Sequence, residues 1–89
     1  MRIELDVTDI LTLDALHEQL ARTLHFPDWY GRNPDALLDC LSEQPAGTEL
    51  VLLGVTALKR RLGPELEPIL SAFSYAAQGR NHFTVTLLP

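Results

Sequence analysis

The stretch from Glu49 to Gly54 constrains the fold more than any other part of the sequence. It contains four consecutive apolar residues, Leu50 to Leu53, bounded by a charged residue and a glycine. A strand with one face in solvent alternates apolar and polar residues, whereas a parallel strand covered on both faces is apolar almost throughout. The stretch therefore predicts a parallel strand that is buried on both faces.

Two weaker strand patterns lie near the ends of the sequence. Residues 2–7 alternate apolar side chains with Glu4 and Asp6, and residues 83–87 alternate apolar side chains with threonine. Alternation of this kind predicts strands that are buried on one face only. We expect the first of these strands to lie near an edge of the sheet.

Segments with helical periodicity connect the strands. Asp14 is a candidate N-cap for the first helix, and Pro68 fits the last helix only within its first turn. The predicted helices are Ala15 to Leu24, one that begins at Asn33-Pro34 and ends at residues 44–47, Ala57 to Leu62 after Thr56, and Glu65 to Gln78. This order predicts an α/β fold, a small three-stranded parallel sheet with helices packed against it. At 89 residues the chain is expected to form a single domain, residues 1–89.

Charge and cysteine content limit the class of partner and the cellular compartment that we expect. The net charge of −5 disfavours nucleic acid as a direct partner and favours a basic protein. The single cysteine excludes an internal disulfide and indicates a reducing compartment. The acidic, alternating N-terminus does not have the pattern of a signal peptide, and no apolar run approaches the ~20 residues of a membrane span. We therefore expect a cytoplasmic protein that contacts neither nucleic acid nor membrane.

Residues 26–41 form the stretch with the clearest functional pattern. Pro27 and Gly31 bracket a loop that carries two adjacent aromatic residues, Trp29 and Tyr30. Asn33 is then a favourable N-cap, because its side chain can accept a hydrogen bond from a free backbone N–H and the following proline has no N–H to satisfy. An aromatic loop is thus expected to lead directly into a helix.

The predicted helix after Asn33 has one apolar and one acidic face. The acidic face carries Asp35, Asp39, Ser42 and Glu43, and the apolar face carries Leu37, Leu38, Cys40 and Leu41. Asp35 complements the helix dipole in the first turn. Asp39 has no such explanation, because it lies past that turn, one turn from a like charge. Two aromatic residues beside two acids predict a site for a cationic partner, and Tyr and Trp are frequent at interface hot spots.

Catalysis and metal binding are poorer interpretations. Asp35 and Asp39 could act as a carboxylate pair, but a chain of this length has little room for a substrate cleft. The sequence has no nucleophile elbow, phosphate loop or Cys-x-x-Cys motif. His17 and His25 lack a second ligand at metal spacing and are interpreted as structural or solvated, and Lys59-Arg60-Arg61 is interpreted as a solvated face. We expect no enzymatic activity, no catalytic residues, no metal and no cofactor.

The same stretch resembles a known family. The residues Pro27, Tyr30-Gly31, Asn33, Asp35-Ala36-Leu37 and Asp39-Cys40-Leu41 resemble the signature of the barstar family, intracellular inhibitors of the secreted ribonuclease barnase. The upstream residues Leu16-His17 and Leu20 fit the same pattern. The resemblance is dense over residues 16–42, and beyond them only the order of elements and the final strand correspond.

The resemblance implies an inhibitor that blocks a ribonuclease active site. In such inhibitors an acidic helix and its preceding loop take the place of RNA phosphate among basic catalytic residues. By position, Asp39 would be the principal phosphate mimic and Asp35 a second anchor, with Trp29, Gly31 and Asn33 around them. The protein would be a monomer that forms a 1:1 complex with a basic extracellular ribonuclease or a related toxin domain.

The sequence departs from the family pattern at the expected contact surface. Leu38 stands where the family often has an aromatic contact residue, Tyr75 replaces an acidic contact on the last helix, and the segment that begins at Ser42 also differs. We include these three residues and Tyr30 in the expected partner-binding surface. Two alternatives remain open: an immunity protein against a different toxin domain, and a non-inhibitory α/β interaction module.

Overall fold

A computed structural model describes residues 1–79 and 81–89. Strands and helices follow in the predicted order, with a 3₁₀ turn at Gly63–Leu66 before the last helix. The elements are β1 (Arg2–Asp6), α1 (Leu13–Thr23), α2 (Pro34–Ser42), β2 (Glu49–Leu53), α3 (Val55–Leu62), α4 (Glu67–Ala77) and β3 (Thr84–Leu88).

The strands form one parallel sheet in the order β1-β2-β3. The continuous apolar strand is therefore central, and the alternating strands are its two edges, as their patterns require. In this register Leu50 lies between Ile3 and Val85 of the neighbouring strands. The predicted fold class, an α/β fold with helices packed against a small parallel sheet, is confirmed.

The core joins the central strand to all four helices. Each helix contributes side chains that are almost fully buried, and Phe83 adds a large ring just before β3. Full burial of one such aliphatic or aromatic side chain contributes about 1.5–3 kcal/mol. These core residues are Leu16 and Leu20 of α1, Leu37 and Leu41 of α2, Leu58 of α3, and Ile69 and Phe73 of α4. The helices α2 and α4 also contact each other directly.

The start of α1 corrects one prediction. The N-cap is Thr12, whose hydroxyl oxygen accepts a hydrogen bond from the backbone N–H of Ala15 at 3.0 Å. Asp14 lies in the first turn, and its carboxylate instead receives two contacts of 2.8 and 2.9 Å from Arg32. The helix thus begins two residues earlier than predicted, and the side chain of Asp14 is engaged by a residue distant in sequence instead of capping the helix.

The second half of the chain also differs in detail. The helix α3 begins at Val55, directly after Gly54, whose φ of 85° lies in the left-handed region. The last helix begins at Glu67, and Pro68 lies in its first turn as predicted. Arg61 is exposed, but it is not simply part of a solvated face, since its Nη1 donates to the carbonyl oxygens of Thr8 and Ile10 at 2.7 and 2.8 Å. Arg61 therefore ties α3 to the loop after β1.

Across residues 1–79 and 81–89, no helix combines the length and the apolar character that crossing a membrane requires.

Candidate protein-binding site

The loop between α1 and α2 exposes one of its two adjacent aromatic residues and buries the other. The side chain of Trp29 is 78% exposed, whereas that of Tyr30 is 8% exposed. A backbone hydrogen bond of 3.0 Å from Tyr30 N to Pro27 O closes a turn across this part of the loop. Trp29 is therefore available to a partner, and Tyr30 is not.

Tyr30 is an anchor of the loop, which corrects its predicted place on the contact surface. Its hydroxyl lies 2.7 Å from Nδ1 of His17, a residue of α1 that is 2% exposed. Its ring packs at a tilt against Phe26, with ring centroids 4.9 Å apart. Burial raises the pKa of the Tyr30 phenol and lowers the pKa of the His17 imidazole. At neutral pH both groups are therefore uncharged, and they share one buried hydrogen bond.

A second contact with α1 holds the far end of the loop. The backbone of Arg32 has a φ of 52°, in the left-handed region that residues other than glycine seldom adopt. Its guanidinium binds both carboxylate oxygens of Asp14 at 2.8 and 2.9 Å. The ion pair is exposed, so its net contribution to stability is small, but it fixes the direction of the Arg32 side chain along α1.

The start of α2 follows the sequence prediction. Asn33 is the N-cap, and its Oδ1 accepts a hydrogen bond of 2.8 Å from the backbone N–H of Ala36, while Pro34 occupies the first turn. Gly31 allows the loop to approach this helix closely, because a Cβ at that position would lie 3.2 Å from Asn33 Nδ2 and 3.4 Å from the Ala36 side chain. Local chemistry thus determines where the loop ends.

The two faces of α2 are separated as predicted. Asp35, Asp39 and Ser42 are exposed, and Leu38 is half-buried at the edge of the core. Leu37, Cys40 and Leu41 are buried against the rest of the molecule. Burial, together with the nearby Glu43 and Asp39 carboxylates, raises the pKa of the Cys40 thiol. The acids therefore project from a helix whose opposite side is immobilised in the core.

A shallow depression joins the loop to the acidic face of α2. Its volume is about 300 Å³, and its lining is Trp29, Ala36, Asp39, Cys40, Ser42 and Glu43. Three of the predicted contact residues, Trp29, Asp39 and Ser42, thus lie together. Glu43 was not predicted as a contact, although its helical phase beside Asp39 and Ser42 was already visible in the sequence.

The depression is suited to a basic side chain of a protein partner. Carboxylates form short, strong charge-assisted hydrogen bonds with guanidinium and ammonium groups. An exposed indole attracts the same groups through the face of its ring. In the described part of the chain, no group of three His, Cys, Asp or Glu side chains is arranged to hold a metal ion.

Tyr75 lies on a different part of the surface. It belongs to α4 and its side chain is 65% exposed. It lines a separate depression of about 380 Å³ together with Glu67, Leu70, Ser71, Ser74 and Gln78. Because α4 packs against α2, a partner that covers the acidic helix would need to extend across the neighbouring helix to reach Tyr75.

Comparison with known proteins relates this chain to a family of inhibitors. A family model described as "Barstar (barnase inhibitor)" matches residues 1–88. A protein of Bacillus subtilis (strain 168) named "Putative ribonuclease inhibitor YrdF" is 49% identical over 41 residues, which are 46% of this chain and 45% of that protein. The matched segment therefore spans just under half the length of that relative.

Proposed function

The chain belongs to the barstar family, and we propose that it inhibits a ribonuclease by covering the active site of that enzyme. The observation that carries the proposal is the shared depression of Trp29 and Asp39, which sets an exposed aromatic ring beside an exposed acid on a rigid helix. The family description and the name of the Bacillus relative support the same class of function.

The inhibitory mechanism is substitution of carboxylates for RNA phosphate. An active site that cleaves RNA holds phosphate oxygens among basic side chains, and a carboxylate accepts the same charge-assisted hydrogen bonds. In the proposed complex Asp39 occupies the phosphate position and Asp35 binds a second basic group. Trp29, Gly31 and Asn33 surround them, with Leu38 and Ser42 at the edge of the contact.

Rigidity of the acidic helix makes this substitution effective. The helix that carries the carboxylates does not need to be ordered when the partner arrives, because Leu37 and Leu41 already fix it in the core. Binding to a preorganised surface loses less conformational entropy than binding to a mobile one. The apolar face of α2 thus contributes to affinity without touching the partner.

The charge of the chain fits a basic partner and a protective role. A net charge of −5 accelerates encounter with a cationic protein through complementary potentials. In the proposed arrangement the inhibitor acts in the cytoplasm as a monomer, binds a secreted ribonuclease 1:1, and has no catalytic activity of its own. It protects the host cell before the enzyme is exported.

Leu38, Glu43 and Tyr75 are the residues that we expect to select the target. The exposed ring of Tyr75, on a helix beside the acidic one, provides an apolar contact at a position where the family pattern has an acid. This observation favours a second candidate, an immunity protein against a related toxin domain. Both candidates use the same acidic face and differ in the partner surface that meets Tyr75.

Inhibition of RNA cleavage tests the proposal directly. The purified chain is titrated into barnase with an RNA substrate, and in parallel it is used to capture proteins from the native host for identification by mass spectrometry. We expect cleavage to stop at an equimolar ratio, or a different ribonuclease or toxin domain to be captured. Undiminished cleavage by barnase, with no nuclease or toxin among the captured proteins, would contradict both candidates.

A further inference from the structure

The hydrogen bond between His17 and Tyr30 links the core of α1 to the proposed contact surface. His17 lies on the buried face of α1, whereas Tyr30 directly precedes Gly31 and directly follows Trp29 in the loop. We propose that His17 is a positioning residue, which fixes the loop through Tyr30 so that Trp29 is held in its binding orientation before a partner arrives. This inference deepens the proposed function and rests on it.

The contacts of Tyr30 are sufficient to fix the loop. The donor and acceptor atoms lie 2.7 Å apart, and the ring is held between His17 and Phe26, with centroid distances of 5.7 and 4.9 Å. A short hydrogen bond at the tip and aromatic contacts along the ring determine both the depth and the rotation of the side chain. The backbone that carries Trp29 is therefore fixed from inside the molecule.

Trp29 itself has little to hold it in place. Its side chain is 78% exposed, and its contribution to the surface is one wall of the depression beside Asp39. An exposed indole on an unanchored loop would sample several orientations, and binding would weaken by the fraction of time spent in the wrong ones. A loop that is correctly placed one tenth of the time would bind about tenfold more weakly.

Charged or titratable groups near this pair lie on α1, on the loop and on α2. Asp14 of α1 and Arg32 of the loop face His17, and they bind each other at 2.8 Å. Cys40 of α2 lies beside Tyr30. The ion pair provides a second fastening of the loop, but it is exposed and weak, so the buried hydrogen bond is the dominant one.

Three variants and one matched control separate positioning from general stability. Tyr30→Phe removes only the hydroxyl, and His17→Leu removes the imidazole nitrogen but keeps a side chain of comparable bulk. His17→Asn is the conservative rescue, because Asn Oδ1 occupies nearly the position of the imidazole Nδ1. Thr48→Val is the matched control: it also removes a buried hydroxyl that donates a 2.7 Å hydrogen bond, here to Pro45 O, outside the loop and α2. Thermal unfolding of each variant gives its stability.

The single tryptophan provides a readout that needs no partner. Time-resolved fluorescence anisotropy measures the local motion of Trp29, and titration against barnase with an RNA substrate measures inhibition. We expect faster Trp29 motion and at least tenfold weaker inhibition in Tyr30→Phe and His17→Leu, recovery in His17→Asn, and wild-type behaviour in Thr48→Val.

The two readouts distinguish failure of this inference from failure of the proposed function. Trp29 motion and inhibition that are the same in Tyr30→Phe, His17→Leu and Thr48→Val would overturn the positioning role. If the wild-type chain inhibits no ribonuclease, the proposed function fails, and the anisotropy alone tests the inference. Unchanged Trp29 motion in Tyr30→Phe and His17→Leu then overturns the inference. Faster motion that is confined to these two variants supports it.

Discussion

Trp29 and Asp39 line the same depression, although one lies on a loop and the other in the second half of the helix that follows. The helical turn between Asn33 and Asp39 brings the acid back beside the loop. Asn33 thereby has two effects, since it starts the helix and sets which residue of that helix faces Trp29. The position of Asp39 in the candidate site follows from this local geometry.

Replacement of Asp39 by alanine should weaken binding without harming the fold. The side chain is exposed, so the free energy of unfolding is expected to change by no more than about 0.5 kcal/mol. In the complex the variant leaves basic groups of the partner without a carboxylate. The binding free energy typically falls by about 2–5 kcal/mol, a range to which measurements on barnase and barstar themselves contribute. Titration against the cognate ribonuclease and thermal unfolding measure the two effects. Asp9→Ala, an exposed aspartate in the loop after β1, is the control and should leave the affinity nearly unchanged. A loss below about 1 kcal/mol with an altered association rate alone would make Asp39 a steering charge.

The N-cap of α2 should be worth a measurable part of the stability. Asn33→Ala removes the acceptor for Ala36 N and is expected to lower the free energy of unfolding by about 1 kcal/mol. Asn33→Asp keeps the capping oxygen and should remain close to wild type. Thermal or urea unfolding of the two variants provides the comparison. Equal losses in both would mean that the side-chain amide, through its 3.3 Å bond to Gly31 O, matters more than the cap.

Features determined by nearby residues could be predicted from the sequence. The apolar run from Leu50 to Leu53 identifies the central strand, because only a strand covered on both faces tolerates it. The start of α2 follows from the chemistry of Asn33 and Pro34 alone. Exposure of Asp39 follows from helical phase, since Leu37 and Leu41 are required in the core.

Features determined by distant contacts could not be predicted. Thr12 and Asp14 are both suitable caps, and the sequence does not show that Arg32 engages Asp14 from the far end of the loop. Trp29 and Tyr30 have similar propensities, and it is Tyr30 that turns inward, where it contacts the buried His17 and Phe26. Sequence alone therefore placed both rings on the contact surface.

Protonation of His17 should couple folding to pH. Burial is the main cause of its lowered pKa, Asp14 opposes that shift, and Arg32 reinforces it. Between the folded pKa and the ordinary value near 6.5, the unfolded chain binds a proton that the folded chain does not, so unfolding becomes more favourable as the pH falls. The contribution of neutral His17 to the free energy of unfolding is fully present above about pH 6.5. Below that pH the free energy of unfolding should decline by at most about 1.4 kcal/mol per pH unit. Urea unfolding from pH 7.5 to 5 measures the decline, which His17→Asn should remove. A flat profile in the wild type would contradict the assignment.

Cys40 should react slowly in the folded protein. Its side chain is 5% exposed, and burial raises the pKa of the thiol, so the reactive thiolate is scarce as well as inaccessible. A thiol-reactive dye is expected to label the native chain far more slowly than the unfolded one. Ser42→Cys in a Cys40→Ala background places a thiol on the exposed side of the same helix and should react quickly. Equal rates for native and unfolded wild type would mean that this face of α2 is open to solvent.

Two glycines with nearly the same backbone conformation should respond differently to alanine. Gly47 and Gly54 have φ of 82° and 85°, but a Cβ at Gly47 would meet nothing within 4 Å, whereas one at Gly54 would collide with the side chain of Thr8. Gly47→Ala should therefore lower the free energy of unfolding only by the strain of an alanine in the left-handed conformation, about 1–2 kcal/mol. Gly54→Ala should cost roughly a further 1–3 kcal/mol, because overpacking is added to the same backbone strain. Chemical unfolding of both variants gives the difference. Adding Thr8→Ala to Gly54→Ala should recover part of the lost stability, since removal of the hydroxyl relieves the closest contact. Equal losses in Gly47→Ala and Gly54→Ala would show that backbone strain alone determines the loss of stability.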